Sequence, residues 1–442
     1  MPTASALDRD TLVAWFDRNR ERSEEFFDTI APEAYEARPI PLRHPFCFYE
    51  GHLPAFNAIT LLQRGLGDPP IDAELELLFQ RGIDPENESG VTEKNRAWPS
   101  RIEIRSYAAS ADRAVREAIA GRDVEDAENP VLRGGLALHT ILEHEPMHQE
   151  TLRYIRHRLP YDHKVRPENL PAPVIGGEPP RPRMVRIPAG AATLGAAADA
   201  PFAWDNELPR HRVDVDAFSI DVYSVTNRDF LEFVESGGYE DASLWDEEGW
   251  AARRPEGERH PLFWERQRGV WLWRGMWDLL PLPMAWPVYV THAEASAFAR
   301  WKGARLPTEA EFHRAAYGAP DGRERPQPWG DAPPDATRGN FEFVSDDPMP
   351  VGSFPLGRSA WGVEDLVGNG WEWTSTPFAP FDGFEPMASY PQYSADFFDG
   401  RHWVMQGASP ATAKELVRAS LRNWFRATYP YVYAKFRTVR DA

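Results

Sequence analysis

Apolar positions in the first 160 residues recur at the spacing of one helix face. The first such face comprises Leu12, Trp15, Phe16, Phe26 and Phe27, and Asp8 or Asp10 can cap its start. Similar spacing predicts helices over Leu53–Gly67 and Arg101–Gly121, each closing on glycine, and from about Val131 to Arg158. Four helices without a strand pattern predict an all-α up-down four-helix bundle over residues 1–164, a common setting for a metal site.

The pattern changes after the fourth helix. Residues 165–183 are rich in proline and form neither helix nor strand, so we interpret them as a linker. Residues 184–442 contain short strand-like runs at 184–190 and 211–221, and helical patterns at 226–238 and 291–304. This half is rich in tryptophan, glycine and proline. This half is predicted to be an irregular α+β domain whose long loops are held by buried aromatic side chains.

Composition narrows the class of protein. Hydrophobic residues make up 42% of the 442, with 17 Trp and 24 Phe, which is ample for folded cores. A net charge of −19 argues against nucleic acid or an anionic membrane as the main partner. Cys47 is the only cysteine, so no disulfide framework is possible within the chain. With no signal peptide and no membrane-length apolar run, we expect a soluble, cytoplasmic protein.

A cluster of histidines occupies the fourth predicted helix. In HTILEHEPMHQETLRYI, residues 139–155, His144 and His148 are one turn apart on the same face, close enough to bind one metal ion. The alternative is a surface helix whose histidines have no role. Pro146 between them either kinks the helix or shows that the helix begins only near Glu145. Glu150 is two residues past His148, points elsewhere, and is assigned a supporting or structural role.

A metal site on a bundle needs a third ligand from another helix. The best candidate is His52, predicted at the start of the second helix, where Gly51 allows another backbone to approach closely. Three neutral imidazoles leave coordination positions open for substrate and oxygen. His44 and His139 are the competitors. His139 lies five residues before His144, roughly 140° around the helix, and ranks below His52.

Three segments of the second half match the sequence pattern of a known enzyme domain. RLPTEAEFHRAAYG (305–318), WGVEDLVGNGWEWT (361–374) and KFRTVRD (435–441) resemble the formylglycine-generating-enzyme domain, which is C-type-lectin-like and also called sulfatase-modifying factor. Together with HEPMHQE on a DinB-like bundle, the chain resembles the ergothioneine-type non-heme iron sulfoxide synthases (EgtB) and their selenoneine-forming relatives (SenA). The resemblance covers about residues 8–440.

This resemblance implies an iron(II) enzyme that uses O2 to join a sulfur or selenium donor to C2 of the imidazole of hercynine, the N-trimethylated histidine. By motif, His52, His144 and His148 are the iron ligands. Asn423 and Trp424 match the family's RNW stretch beside the betaine, where an aromatic face can make a cation–π contact. A core-filling role for Trp424 is the alternative. Small molecules are the expected partners.

Several positions depart from the family's pattern. Phe425 follows the RNW stretch where an aspartate is frequent, and the loop 406–410 reads QGASP instead of RGGSW. Trp98 stands where an arginine for donor carboxylates is expected, although Arg96, Arg101 and Arg105 remain nearby. A neutral, sugar-like donor suits a Trp platform better than a dicarboxylic peptide, which favours a selenosugar donor and selenoneine synthesis.

The resemblance also implies a tyrosine that supplies a proton near the oxygen site. Tyr390 and Tyr393 are candidates, while Phe381 occupies a place often held by tyrosine; we choose Tyr390.

Other classes of function remain to be weighed. A formylglycine-generating oxidase needs a cysteine pair in the aromatic-rich domain, and the sole cysteine, Cys47, lies in the other half, so composition excludes that chemistry. An ergothioneine-pathway synthase using γ-glutamylcysteine or cysteine remains open. So do an inactive small-ligand-binding module and a zinc-dependent thiol transferase.

Overall fold

A computed structural model describes residues 8–80, 98–253 and 259–442 of the chain. The chain divides into two compact units. The helical unit comprises Met1–Asn169 together with Asp199–Phe202 and Pro386–Tyr393. The mixed unit comprises Leu170–Ala198, Ala203–Glu385 and Ser394–Ala442. The domain bounds at 164/165 and 183/184 stay predictions from the sequence.

The helical unit is built on a bundle, as predicted. Its helices are α1 (Arg9–Asp28), α2 (Phe46–Asn57), α3 (Ala73–Phe79), α4 (Arg101–Gly121) and α5 (Leu136–His157). Helices α1, α2, α4 and α5 pack against one another, and α2 continues as a π-helix over Ala58–Gly65. The predicted start of the second helix at Leu53 is wrong. Almost every residue of α2 is buried, so its first turns carry no alternation of polar and apolar positions from which a helix could be read.

Helix starts follow local capping chemistry. Asp8 caps α1, because its carboxylate accepts a hydrogen bond from the backbone N–H of Thr11 at 2.9 Å. Ser100 and Glu103 form a capping box that starts α4 at the predicted residue. The fourth predicted helix starts at Leu136 and not near Val131, since Gly134 and Gly135 before it have φ of +64° and +73°.

Pro146 lies inside α5 and is buried there. A proline at this position removes the N–H that would bond the carbonyl of Leu142 one turn earlier. The side-chain amide of Asn19, from α1, donates to that carbonyl at 2.8 Å. The helix therefore passes through Pro146 with its freed carbonyl satisfied, and it does not begin near Glu145.

The mixed unit is an irregular α+β domain, as predicted. Its helices are α6 (Asn227–Glu235), α7 (Glu247–Ala252), α8 (His292–Trp301) and α9 (Glu309–Ala316). Its strands are β1 (Met184–Ile187), β2 (Gly190–Leu194), β3 (His211–Val215), β4 (Phe218–Asp221), β5 (Trp264–Gln267), β6 (Val270–Arg274), β7 (Leu279–Pro281), β8 (Gly370–Pro377), β9 (His402–Ala408), β10 (Asn423–Arg426), β11 (Ala434–Lys435) and β12 (Val439–Asp441).

These strands form small sheets joined by long loops. The sheet orders are β1-β4-β12, β10-β9-β8-β11, β2-β3 and β5-β6-β7. All pairings are antiparallel except that of β11 with β8. Strand β8 begins in the GNGWEWT motif and pairs with β9, and β10 pairs with the other edge of β9. The RNW stretch is thereby placed on an ordered strand.

Charged residues from two of the motifs meet in the core of the mixed unit. Glu372 of β8 is fully buried and accepts hydrogen bonds from Arg437, at 2.6 Å from its Nε, and from Lys435. Burial raises the pKa of Glu372, but Arg437 and Lys435 outweigh it and hold that pKa below its ordinary value. Glu372 of the WEW motif and Lys435 and Arg437 of the KFR motif therefore have a structural role in this core. Among the described residues no helix is long and apolar enough to cross a membrane.

Candidate metal centre

Three histidines meet at the core of the helical unit. His52 of α2 and His144 and His148 of α5 are 2%, 2% and 3% exposed. One ring nitrogen from each lies within 4.8 Å of the other two. The Nε2 atoms of His144 and His148 are 3.0 Å apart. The sequence-predicted ligand set is thus brought together by the packing of α2 against α5.

His52 lies in the middle of α2 and not at a helix start, so that part of the prediction is wrong. Its Nδ1 is 2.7 Å from the backbone carbonyl of Phe79, the last residue of α3. A carbonyl only accepts, so Nδ1 carries the proton and Nε2 keeps its lone pair. That Nε2 is buried and has no hydrogen-bond partner among the described residues.

Burial keeps all three imidazoles neutral. It lowers the pKa of His52 to about 4. Burial, followed by the neighbouring His148 and His52, holds the pKa of His144 well below its ordinary value. The pKa of His148 is lowered in the same way, by burial and then by His52. Neutral imidazole is the form that binds metal, so the cluster is ready to coordinate at neutral pH.

The donor set fits a first-row transition metal. Two nitrogens each about 2.1 Å from one ion and at right angles to each other are about 3.0 Å apart. The Nε2 atoms of His144 and His148 have this separation. The Nε2 atom of His52 is buried, and its lone pair has no hydrogen-bond donor among the described residues. Three imidazoles suit iron, copper, nickel or zinc and do not suit magnesium or calcium, which require oxygen ligands.

The glutamate inside HEPMH does not belong to this group. Glu145 accepts hydrogen bonds from Arg20 and Ser23 of α1, each at 2.7 Å, and from Asn57 of α2 at 3.2 Å. These contacts occupy both carboxylate oxygens. Glu145 therefore ties α1, α2 and α5 together beside the three histidines.

The competing histidines make other ring contacts. His139 stacks on Phe202 at 5.6 Å and meets the edge of Trp15 at 6.3 Å between ring centroids. His44 stacks on Phe48 at 4.0 Å. Neither belongs to the metal-binding group found among the described residues. The group contains His52 and neither competitor, and its role as the ligand set stays a prediction.

Tyr390 lies against the histidine cluster. Its ring centroid is 6.2 Å from that of His144 and 5.2 Å from that of Phe56. The segment Pro386–Tyr393 that carries it belongs to the helical unit, where Ser389 is hydrogen bonded to Thr140 of α5 at 2.7 Å. Tyr393 places its hydroxyl 3.8 Å from the sulfur of Met147. Phe381 belongs to the mixed unit, beneath the guanidinium of Arg422.

Two phenylalanines at the centre were not singled out from the sequence. Phe56 stacks on the ring of His144 with centroids 3.5 Å apart. Phe48 stacks on His52 at 5.1 Å. Both lie four residues from His52 on α2, one on either side. This i±4 spacing is the pattern in the sequence that could have identified them.

Trp98 is the first described residue after segment 81–97, and its ring meets the edge of Phe48 at 6.3 Å. The nearby arginines are already paired. Arg101 and Arg105 both donate to Glu50 at 3.0 Å and both contact Asp28. Arg96 lies outside the described residues. The two described arginines are therefore held by carboxylates of the protein itself.

Asn423 and Trp424 of the RNW stretch are the first two residues of β10 in the mixed unit. Trp424 stacks on Phe378 at 4.2 Å, and Phe425 stacks on Tyr429 at 4.8 Å. Asn423 accepts, through its side-chain oxygen, a hydrogen bond from the N–H of Trp424 at 2.8 Å. Alternation along a strand puts Asn423 and Phe425 on one face and Trp424 on the other.

Comparison with known proteins accounts for both units. A model of the sulfatase-modifying factor enzyme 1-like domain matches residues 172–442, and a model of the DinB superfamily matches residues 16–152. The fold class predicted from the sequence is confirmed. A protein named hercynine oxygenase from Mycolicibacterium thermoresistibile is 35% identical over 463 residues, covering 100% of this chain and 96% of that protein.

The chain belongs to the hercynine oxygenase family. A second member, from Mycolicibacterium smegmatis, is 33% identical over 98% of this chain and 99% of its own length. A longer relative, named ergothioneine biosynthesis protein 1, from Neurospora crassa, is 28% identical over 91% of this chain and 54% of its own length. The predicted relation to ergothioneine-type synthases is confirmed, and the comparisons do not separate the selenoneine branch.

Proposed function

We propose that this hercynine oxygenase family member is an iron(II)- and O2-dependent enzyme that forms a carbon–selenium or carbon–sulfur bond at C2 of the imidazole of hercynine. The observation that carries the proposal is the buried group of three neutral imidazoles, whose nitrogens lie within 4.8 Å of one another. Full-length relatives that are named hercynine oxygenase support the choice of hercynine.

His52, His144 and His148 would hold the iron. When bound, iron(II) supplies the redox chemistry with O2 and a common coordination sphere for donor and imidazole, which the side chains of this chain lack. The surrounding rings exclude water from the centre. Phe48 covers His52, and Phe56 covers His144. Reacting groups that are oriented side by side lose less entropy on the way to the transition state.

We assign the protonation role to Tyr390. Its ring packs against His144 and Phe56, whereas the hydroxyl of Tyr393 lies by Met147. A phenol that touches a ligand ring is well placed to donate or accept a proton near the reacting atoms.

We assign contacts with hercynine to Asn423, Trp424 and Phe425. The trimethylammonium group requires either a carboxylate or aromatic faces, and Phe425 stands where an acid is frequent in the family. Phe425 of β10 stacks on Tyr429, which meets Tyr431 at 5.2 Å, so the strand and the loop after it bring three rings together. Cation–π contacts with such rings contribute about 0.5–2 kcal/mol each.

We propose that the donor is uncharged, with a selenosugar the best candidate and selenoneine formation the result. A dicarboxylic thiol such as γ-glutamylcysteine needs cationic partners when it leaves water. Trp98 offers an aromatic surface in place of a cation, and the guanidinium groups of Arg101 and Arg105 are committed to Glu50 and Asp28. A sugar can stack on an aromatic ring and form neutral hydrogen bonds.

An aerobic assay tests the proposal. The full chain, loaded with iron(II), is mixed with hercynine and, separately, with a selenosugar, γ-glutamylcysteine or cysteine, and products are identified by mass. We expect a product that joins hercynine to the selenosugar. Preference for γ-glutamylcysteine or cysteine would instead support an ergothioneine-pathway synthase. Bound metal without O2 consumption would point to a zinc-type transferase, and an absence of both to an inactive binding module.

A further inference from the structure

Only one of the three histidines has a hydrogen bond on its second nitrogen within the described part of the chain. The Nδ1 atoms of His144 and His148 have no partner there. The Nδ1 of His52 donates to the carbonyl of Phe79 at 2.7 Å. In metal sites such a bond sets the tautomer and the direction of the ring, and losing it commonly lowers metal affinity 10- to 100-fold. The orientation of His52 therefore depends on where Phe79 lies.

Phe79 is the last residue of α3, so its carbonyl has no partner within that helix and is available to the imidazole. Glu76 holds α3 in place. Its carboxylate accepts from the Gln63 side chain at 2.5 Å, from the Ile71 N–H at 3.0 Å and from the Tyr107 hydroxyl at 3.4 Å. The carbonyl that faces His52 is thus supplied by an anchored element.

Gly51 allows Phe79 to lie close to α2. A Cβ atom at position 51 would lie 2.4 Å from Cε2 and Cζ of Phe79 and 2.6 Å from Cε1. Real Cβ contacts are never that short, so the ring would have to move, and Phe79 is fully buried. The sequence predicts that Gly51 allows a backbone to approach closely. In the structure the group that approaches is the side-chain ring of Phe79.

We infer that α3 is the positioning element of the metal site. Phe79 directs the Nε2 of His52 at the ion through its backbone carbonyl, and Gly51 is the residue that lets Phe79 come close enough. This inference rests on the proposed function, because it presupposes that the three histidines bind a metal. Gly51 and Phe79 are positioning residues, which act through His52 and are not metal ligands themselves.

A substitution cycle with Co²⁺ as probe tests the inference on the full chain. Co²⁺ affinity is measured by competition, and the ligand-field absorption of the bound ion reports its coordination. We expect Gly51→Ala to weaken binding 10- to 100-fold. Phe79→Leu removes Cε1, Cε2 and Cζ but keeps the carbonyl, so by itself it should leave affinity nearly unchanged. In the Gly51→Ala background it should restore most of the lost affinity and the wild-type spectrum.

The outcomes are distinguishable. Gly121→Ala is the matched control, because a Cβ there meets nothing within 4 Å. If the unsubstituted chain binds neither Co²⁺ nor Fe²⁺, the proposed function fails. If it binds them and Gly51→Ala binds equally well, or if Phe79→Leu gives no rescue, the positioning role is overturned. Should Gly51→Ala not fold, Glu76→Ala loosens α3 without touching a histidine. Unchanged Co²⁺ affinity in Glu76→Ala would likewise overturn the role.

Discussion

Asn19 of α1 donates a 2.8 Å hydrogen bond from its side-chain amide to the backbone carbonyl of Leu142 in α5. This carbonyl is the one that Pro146 leaves without a helical donor. Both groups are buried, and Leu142 lies two residues before His144 and six before His148 on the same helix. A side chain from a neighbouring helix thus makes a proline tolerable in the middle of the helix that carries His144 and His148.

The first prediction follows from this bond. Asn19→Ala leaves a buried carbonyl without a partner, and we expect a loss of about 1–3 kcal/mol in the free energy of unfolding. In a Pro146→Ala background the restored N–H can bond the same carbonyl, so the loss should be clearly smaller. Chemical denaturation of the unsubstituted chain, the two single variants and the double variant measures the loss of stability in both backgrounds. An equal loss in both backgrounds would show that the Asn19 bond does not substitute for the missing helical one.

The second prediction concerns the ligands. We expect His52→Ala, His144→Ala and His148→Ala each to reduce iron occupancy sharply, because each removes one of three nitrogen donors. His139→Ala is the matched control, since its ring packs on Phe202 and Trp15. Metal analysis of the purified chains gives the answer. Equal loss from His139→Ala would mean that the ligand set is wrong.

The third prediction separates the two tyrosines. Tyr390→Phe keeps the ring against His144 and removes only the hydroxyl. We expect kcat to fall by roughly 10²–10⁴, as for loss of a general acid, while iron occupancy stays the same. Tyr393→Phe, measured alongside, should change kcat much less. A larger effect of Tyr393→Phe would transfer the proton role to that residue.

The fourth prediction concerns the donor. With hercynine as acceptor, we expect a higher kcat/KM for a selenosugar than for γ-glutamylcysteine. Burying two carboxylates beside Trp98 without cationic partners costs several kcal/mol. Trp98→Arg supplies a cation and should narrow the difference, whereas Trp98→Phe should not. If γ-glutamylcysteine is the better donor of the unsubstituted enzyme, the selenium assignment is wrong and the ergothioneine assignment replaces it.

The fifth prediction concerns the core of the mixed unit. Glu372→Ala leaves Lys435 and Arg437 buried without their carboxylate, and we expect a loss of about 3–5 kcal/mol in the free energy of unfolding. The exposed Glu248 provides a control, for which substitution by alanine should cost less than about 0.5 kcal/mol. Thermal and denaturant unfolding of both variants measure the difference. Comparable stability of the two would argue against a structural role of the WEW motif.

The sequence alone determined whatever depends on neighbours along the chain. Helical periodicity and capping residues located α1 and α4 closely, because both effects act within one or two turns. The i, i+4 spacing determined that His144 and His148 share a helix face. The motifs of the second half indicated the family and the fold class, because each motif is a short continuous stretch of the chain.

Tertiary structure decided what depends on contacts between distant segments. The almost completely buried α2 carries no amphipathic pattern, so only packing shows that His52 lies in its middle. The hydrogen bonds from Arg101 and Arg105 to Glu50, and from Asn19 to the carbonyl of Leu142, join residues on different helices that no periodicity connects. Tyr390 is nearly 250 residues from His144 along the chain, yet the segment that carries it belongs to the helical unit. Such contacts are set by how the chain folds back on itself, and local spacing holds no information about them.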